Sequence, residues 1–75
     1  MKKFNISLNS IMDVKSFVNI VNKYDFDVDL ASGRYVVDAK SIMGIFSLDL
    51  SKPIELSIIE ENCELLCNEL EQFKV

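Results

Sequence analysis

The sequence predicts an α+β fold in which one four-stranded antiparallel sheet is covered on one face by three helices. Four short segments alternate apolar and polar residues with a period of two, and three others repeat apolar residues at helical spacing. Each strand then has a single apolar face to bury, and one sheet backed by helices is the economical way to bury it. With 75 residues there is too little chain for a second core, so one domain spanning 1–75 is expected.

The first strand is read from Phe4, Ile6 and Leu8 alternating with Lys3, Asn5 and Ser7. Ser10-Ile11-Met12-Asp13 then places an N-cap hydroxyl three residues before an acid, a near capping box that starts the first helix. Ile11, Val14, Phe17, Val18 and Val21 form its apolar stripe, and Met12 and Ile20 fall off that stripe toward solvent. Asp25 to Leu30 alternates strictly, and Arg34 to Ala39 follows a turn at Ala31-Ser32-Gly33, which predicts a hairpin of strands two and three. Ser41 caps a short helix over Ile42 to Leu48, held to a turn or two by Gly44 and ended by Lys52-Pro53. Ile54, Leu56 and Ile58 make the fourth strand. Cys63, Leu66, Cys67, Leu70 and Phe73 mark a closing helix, with Glu60 and Glu61 near its positive end. The core is expected at Phe4, Ile6, Val18, Val28, Val37, Leu56, Ile58, Leu66 and Leu70.

Composition excludes several classes of function. A hydrophobic share of 49% and a charged share of 27% are those of a folding chain. Histidine is absent, which removes the commonest general base, zinc ligand and phosphohistidine acceptor together. Twelve acids against eight bases give a net charge of -4, the wrong sign for holding nucleic acid by its phosphates, so proteins are the expected partners. No apolar run reaches the ~20 residues of a membrane span, and Met1-Lys2-Lys3 leads into alternation rather than a signal-peptide core, so a cytoplasmic location without membrane insertion is expected. The chain offers no nucleophile–base pair, metal cluster or phosphate loop, so neither enzyme activity nor a cofactor or metal is expected. Asp25, Asp27 and Asp29 resemble the start of a calcium loop, but that loop wants glycine at its sixth position and glutamate at its twelfth, which here are Leu30 and Val36. A solvated strand face explains them better. Cys63 and Cys67 have acidic neighbours and no partner to lower a thiol pKa, and are read as small buried apolar residues rather than a disulfide.

The run Lys40-Ser41-Ile42-Met43-Gly44-Ile45-Phe46-Ser47-Leu48, with Asn22-Lys23-Tyr24-Asp25, Asp27-Val28 and Arg34-Tyr35, resembles the HPr family, the small phosphocarriers of the bacterial phosphoenolpyruvate-dependent sugar phosphotransferase system. The resemblance covers the whole chain and implies an open-faced β-sandwich, in agreement with the element order read from the patterning. It also implies a phosphoryl-accepting histidine at the start of helix one, in a His-Ala-Arg-Pro motif. Counting back without gaps places Ser10 at that histidine, with Ile11, Met12 and Asp13 at the alanine, arginine and proline. Acceptor, cation and rigid turn are all replaced, and Asp13 adds negative charge where phosphate would sit. The chain therefore reads as a divergent member without the acceptor histidine, a binding or regulatory module rather than a carrier. The alternative, a carrier using Ser10, meets the objection that a phosphoserine ester lacks the transfer potential of phosphohistidine.

Ser41 stands where many family members are phosphorylated by an ATP-dependent HPr kinase/phosphorylase, so the resemblance implies a regulatory phosphorylation site there. A plain N-cap is the competing role. The resemblance also implies that the face of the short helix docks enzyme I, HPr kinase/phosphorylase or a regulator. Met12, Ile42, Met43 and Phe46 are the candidate partner-binding residues, because three large apolar residues within five positions cannot all face one small core.

Overall fold

The computed structural model describes residues 1–75 and contains β1 (Lys2–Ile6), α1 (Ile11–Val21), β2 (Val28–Ser32), β3 (Tyr35–Asp38), α2 (Ile42–Phe46), β4 (Ile54–Ile58) and α3 (Glu64–Glu69), closed by a 3₁₀ turn at Glu71–Phe73. The four strands join one antiparallel sheet in the order β1-β4-β2-β3. Phe4, Leu56, Leu30 and Val37 lie in one row across it. Alternation then sorts the faces: Ile6, Ile54, Leu56, Ile58, Val28 and Leu30 are buried, whereas Lys3, Asn5, Glu55, Val36 and Asp38 on the opposite face are exposed.

The core consists of 18 buried residues, every one of them apolar, and no buried side-chain nitrogen or oxygen lacks a hydrogen-bond partner. α1 supplies Val14, Phe17 and Val21, and α3 with its flanks supplies Cys63, Leu66, Cys67 and Leu70. Phe17 meets Phe73 edge to face, with centroids 5.9 Å apart and planes at 84°. Of the nine expected core residues, Phe4, Val18 and Val37 are half-buried at the margin and the other six are fully buried. No helix is long and apolar enough to cross a membrane.

Several expected boundaries shift for identifiable reasons. Asp25, Phe26 and Asp27 are not strand but a bend running into irregular backbone at Asp27, because β4 ends at Ile58 opposite Val28 and offers them no ladder partner. The hairpin closes at Gly33-Arg34 with Ser32 paired to Tyr35. Gly33 has φ 60° and no other residue has positive φ, so the turn is of the kind that puts glycine first. Ile11 is 63% exposed rather than part of the α1 stripe. It stands about 90° round the helix from the centre of Val14, Phe17 and Val21, on the flank opposite Ile20, and the core does not extend to that flank. Ile20, expected in solvent, instead packs half-buried against the core. α3 stops at Glu69 and tightens into the 3₁₀ turn that brings Phe73 onto Phe17. The chain end then lies along β1: Ser7 N–H donates to Phe73 O at 2.8 Å and Val75 N–H to Asn5 O at 3.2 Å, covering part of that sheet edge.

Candidate functional site

α1 and α2 pack against each other, and α2 also packs on β3. The expected site residues stand on these two helices or at their starts. Ser10 is the N-cap of α1 in extended conformation, and its Oγ accepts the Asp13 N–H at 3.1 Å. Asp13 reaches back past Ser10, its Oδ2 accepting the Asn9 N–H at 3.0 Å, one residue further out than in a capping box. Ser7 Oγ donates to Asn9 Oδ1 at 2.8 Å and steadies the approach to the helix. A carboxylate thus already occupies the positive end of α1, where an added anion would need to sit.

Ser41 caps α2 in the same way. Its Oγ accepts the Gly44 N–H at 3.2 Å while its own N–H donates to Asp38 O at 3.0 Å, and the residue is exposed. Gly44 suits this place for a steric reason: a Cβ there would lie 3.2 Å from Val37 Cβ and 3.3 Å from Ser41 Oγ, crowding both β3 and the capping hydroxyl.

The preceding residue, Lys40, turns away from Ser41. Its Nζ donates to the Tyr24 carbonyl at 2.6 Å, tying the start of α2 to the bend after α1. Tyr24 in turn donates its hydroxyl to Glu69, which also pairs with Lys23. The hydrogen bond from Lys23, and next the one from Tyr24, hold the Glu69 carboxyl below the usual range. The Tyr24 phenol is raised, first by its hydrogen bond to Glu69 and then by partial desolvation. This linkage was invisible in the sequence, because Tyr24 and Glu69 are 45 residues apart and neither belongs to a local motif.

The exposed apolar residues of the two helices are Ile11, Met12, Met43 at 78% and Phe46 at 43%. Ile42 behaves differently from its neighbours: it is half-buried and packs on the core beside buried Ile45. The helical stripe explains the split, since Ile42 and Ile45 are three apart and share a face that Met43 and Phe46 flank. Ile11 joins the exposed set although the patterning placed it inside; half-buried Ile20 is offset from the stripe by the same angle on the other flank, so helical spacing alone did not distinguish the two.

Chemically, the two helix starts present serine hydroxyls and no nitrogen nucleophile. No group of three or more Cys, Asp or Glu side chains is placed to hold a metal ion, and Asp25 and Asp27 lie in the bend while Asp29 lies in β2. Cys63 and Cys67 are free and buried with their Sγ atoms 3.6 Å apart, and burial together with the neighbouring thiol pushes the Cys67 thiol up.

The family described as "PTS HPr component phosphorylation site" matches residues 13–73, a span that starts at Asp13. Among solved structures, HPr-C-His from Thermoanaerobacter tengcongensis is 26% identical, with a TM-score of 0.80 over 96% of this chain and 89% of that one. The phosphocarrier protein HPr from Bacillus anthracis str. Ames is 25% identical, with a TM-score of 0.73 over 99% of this chain and 94% of that one. No curated protein matches the chain.

Proposed function

The chain belongs to the family of PTS HPr components, and we propose that within it this protein is a protein-binding or regulatory module that carries no phosphate on histidine and is switched at Ser41. The start of α1 carries this reading. Ser10 stands there as a helix cap, the chain has no histidine anywhere, and the Asp13 carboxylate takes the helix end that would otherwise favour a phosphate. A serine ester formed at Ser10 would set a phosphate beside the Asp13 carboxylate in the first turn of α1, whereas the first turn of α2 carries no acid.

Exposed Met12, Met43 and Phe46, joined by Ile11 and backed by Ile42, support a docking face for proteins of the phosphotransferase or catabolite-regulation system: enzyme I, HPr kinase/phosphorylase or a regulator. Ser41 adjoins that face in sequence and is open to solvent. Transfer of the γ-phosphoryl group of ATP would form an Oγ–P ester at Ser41, with ADP leaving and the hydroxyl proton passing to the kinase. The product would bring about two negative charges beside Met43 and Phe46 and change which partners dock there.

The test has two arms. With phosphoenolpyruvate and enzyme I the protein takes no acid-labile label, and with ATP and an HPr kinase the label is found by mass spectrometry at Ser41. Acid-labile labelling at the rate of a histidine-bearing HPr would overturn the first half, and equal labelling of Ser41→Ala the second.

A further inference from the structure

The bend after α1 and the connection from β4 to α3 together frame a surface that the reading above does not use. Two clefts, of about 430 and 300 Å³, lie between these segments, one lined by Tyr24 and the other by Phe26, whose ring centroids are 5.5 Å apart. Their apolar lining is Tyr24, Phe26, Ile59 and Leu65, of which Ile59 is 64% and Leu65 73% exposed. The charged residues lining them are Asp25, Asp27, Glu60 and Glu64, all acids, with no cation among the lining residues. Lys23, which adjoins Tyr24 in sequence, is paired with Glu69.

From this geometry we propose that the groove between Tyr24–Asp27 and Ile59–Leu65 docks a cationic amphipathic segment of a partner protein, with Lys or Arg interleaved among apolar side chains. Charge decides the occupant. Four carboxylates around two large exposed aliphatic side chains repel an anionic bilayer and the phosphates of nucleic acid, and they repel a second copy of a chain that itself carries -4. A segment with apolar anchors and basic flanks satisfies both features at once. Tyr24 in the lining is tied at three points, which spares a complex part of its ordering cost: its carbonyl accepts Lys40 Nζ, its hydroxyl donates to Glu69, and its N–H donates to Val21 O at 3.2 Å. None of these residues belongs to the exposed set on α1 and α2, so the groove stands or falls independently of the Ser41 reading.

The experiment titrates ¹⁵N-labelled protein with a synthetic peptide of lysine and leucine at helical spacing, beside a control peptide with glutamate in place of lysine. The amides of Tyr24–Asp27 and Ile59–Leu65 shift with the lysine peptide, and raised salt weakens the binding. The double variant Glu60→Lys/Glu64→Lys lowers affinity by about tenfold or more, Leu65→Ser lowers it as well, and Glu55→Lys on the exposed sheet face leaves it unchanged. Asp25→Asn/Asp27→Asn gives a milder loss and guards against a charge-reversal variant that misfolds. Absence of binding, equal binding of the glutamate peptide, an undiminished affinity in Glu60→Lys/Glu64→Lys, or shifts centred on Met12, Met43 and Phe46 would each overturn the proposal. So would the same amide shifts on concentrating the protein alone, which would assign the groove to self-association.

Discussion

Asp13 accepts the backbone N–H of Asn9 at 3.0 Å, so the first turn of α1 is closed by its own carboxylate. On the proposed reading, installing an acceptor alone should not restore labelling. Ser10→His alone should gain little acid-labile label from phosphoenolpyruvate and enzyme I, because Met12 supplies no cation and Asp13 still repels phosphate. Ser10→His/Met12→Arg/Asp13→Pro should gain substantially more. A single Ser10→His variant that labels as fast as the triple variant would show that Asp13 has no such effect.

The two capping serines should separate stability from modification. Ser10→Ala and Ser41→Ala each remove an acceptor from an amide at the third helical position and should cost about 1 kcal/mol in urea denaturation. Labelling by HPr kinase with ATP should persist in Ser10→Ala and vanish in Ser41→Ala. Because Ser41 is exposed, phosphorylation of the wild type should alter partner binding with little change in melting temperature.

Adjacent leucines on α3 should differ sharply. Leu66 is fully buried in the core and Leu65 is largely exposed. Leu66→Ala should cost about 2 to 5 kcal/mol, and Leu65→Ala should stay within about 0.5 kcal/mol of the wild type. Equal costs in chemical denaturation would contradict the orientation of α3 on the sheet.

Glu69 should leave a mark on the pH dependence of stability. Its carboxyl is held low in the folded protein by Lys23 and Tyr24, so its contribution is present above the ordinary carboxylate range and is lost as pH falls through the lowered folded value. The stability difference between wild type and Glu69→Gln should accordingly shrink on acidification. For Tyr24 the sign reverses, since its raised value favours the neutral phenol and its contribution is lost as pH rises through the folded value. Ultraviolet titration should show the Tyr24 midpoint moving down in Glu69→Gln, and an unmoved midpoint would mean that this hydrogen bond does not hold the phenol.

Much of the fold was legible in the chain because it rests on local periodicity and local capping. Phe4-Asn5-Ile6 and Ile54-Glu55-Leu56-Ser57-Ile58 alternate because one face of each strand is buried, and Ser10 and Ser41 sit three residues before amides that need an acceptor. The absence of histidine and the order of the elements were equally plain. Where a pattern had to find a distant partner, it could mislead. Asp25-Phe26-Asp27 alternates as well as any strand, yet it becomes a bend because β4 ends opposite Val28. Ile11 and Ile20 flank the buried stripe of α1 at about the same angle on opposite sides, and only the packing of the other elements buries Ile20 and leaves Ile11 exposed. The links from Lys40 to Tyr24 and from Tyr24 to Glu69 join residues 16 and 45 apart, and the acidic clefts beside them join Tyr24–Asp27 to Ile59–Leu65. No short-range signal encodes such contacts, because they exist only once packing has brought separate segments together, and that is what the tertiary structure alone decided.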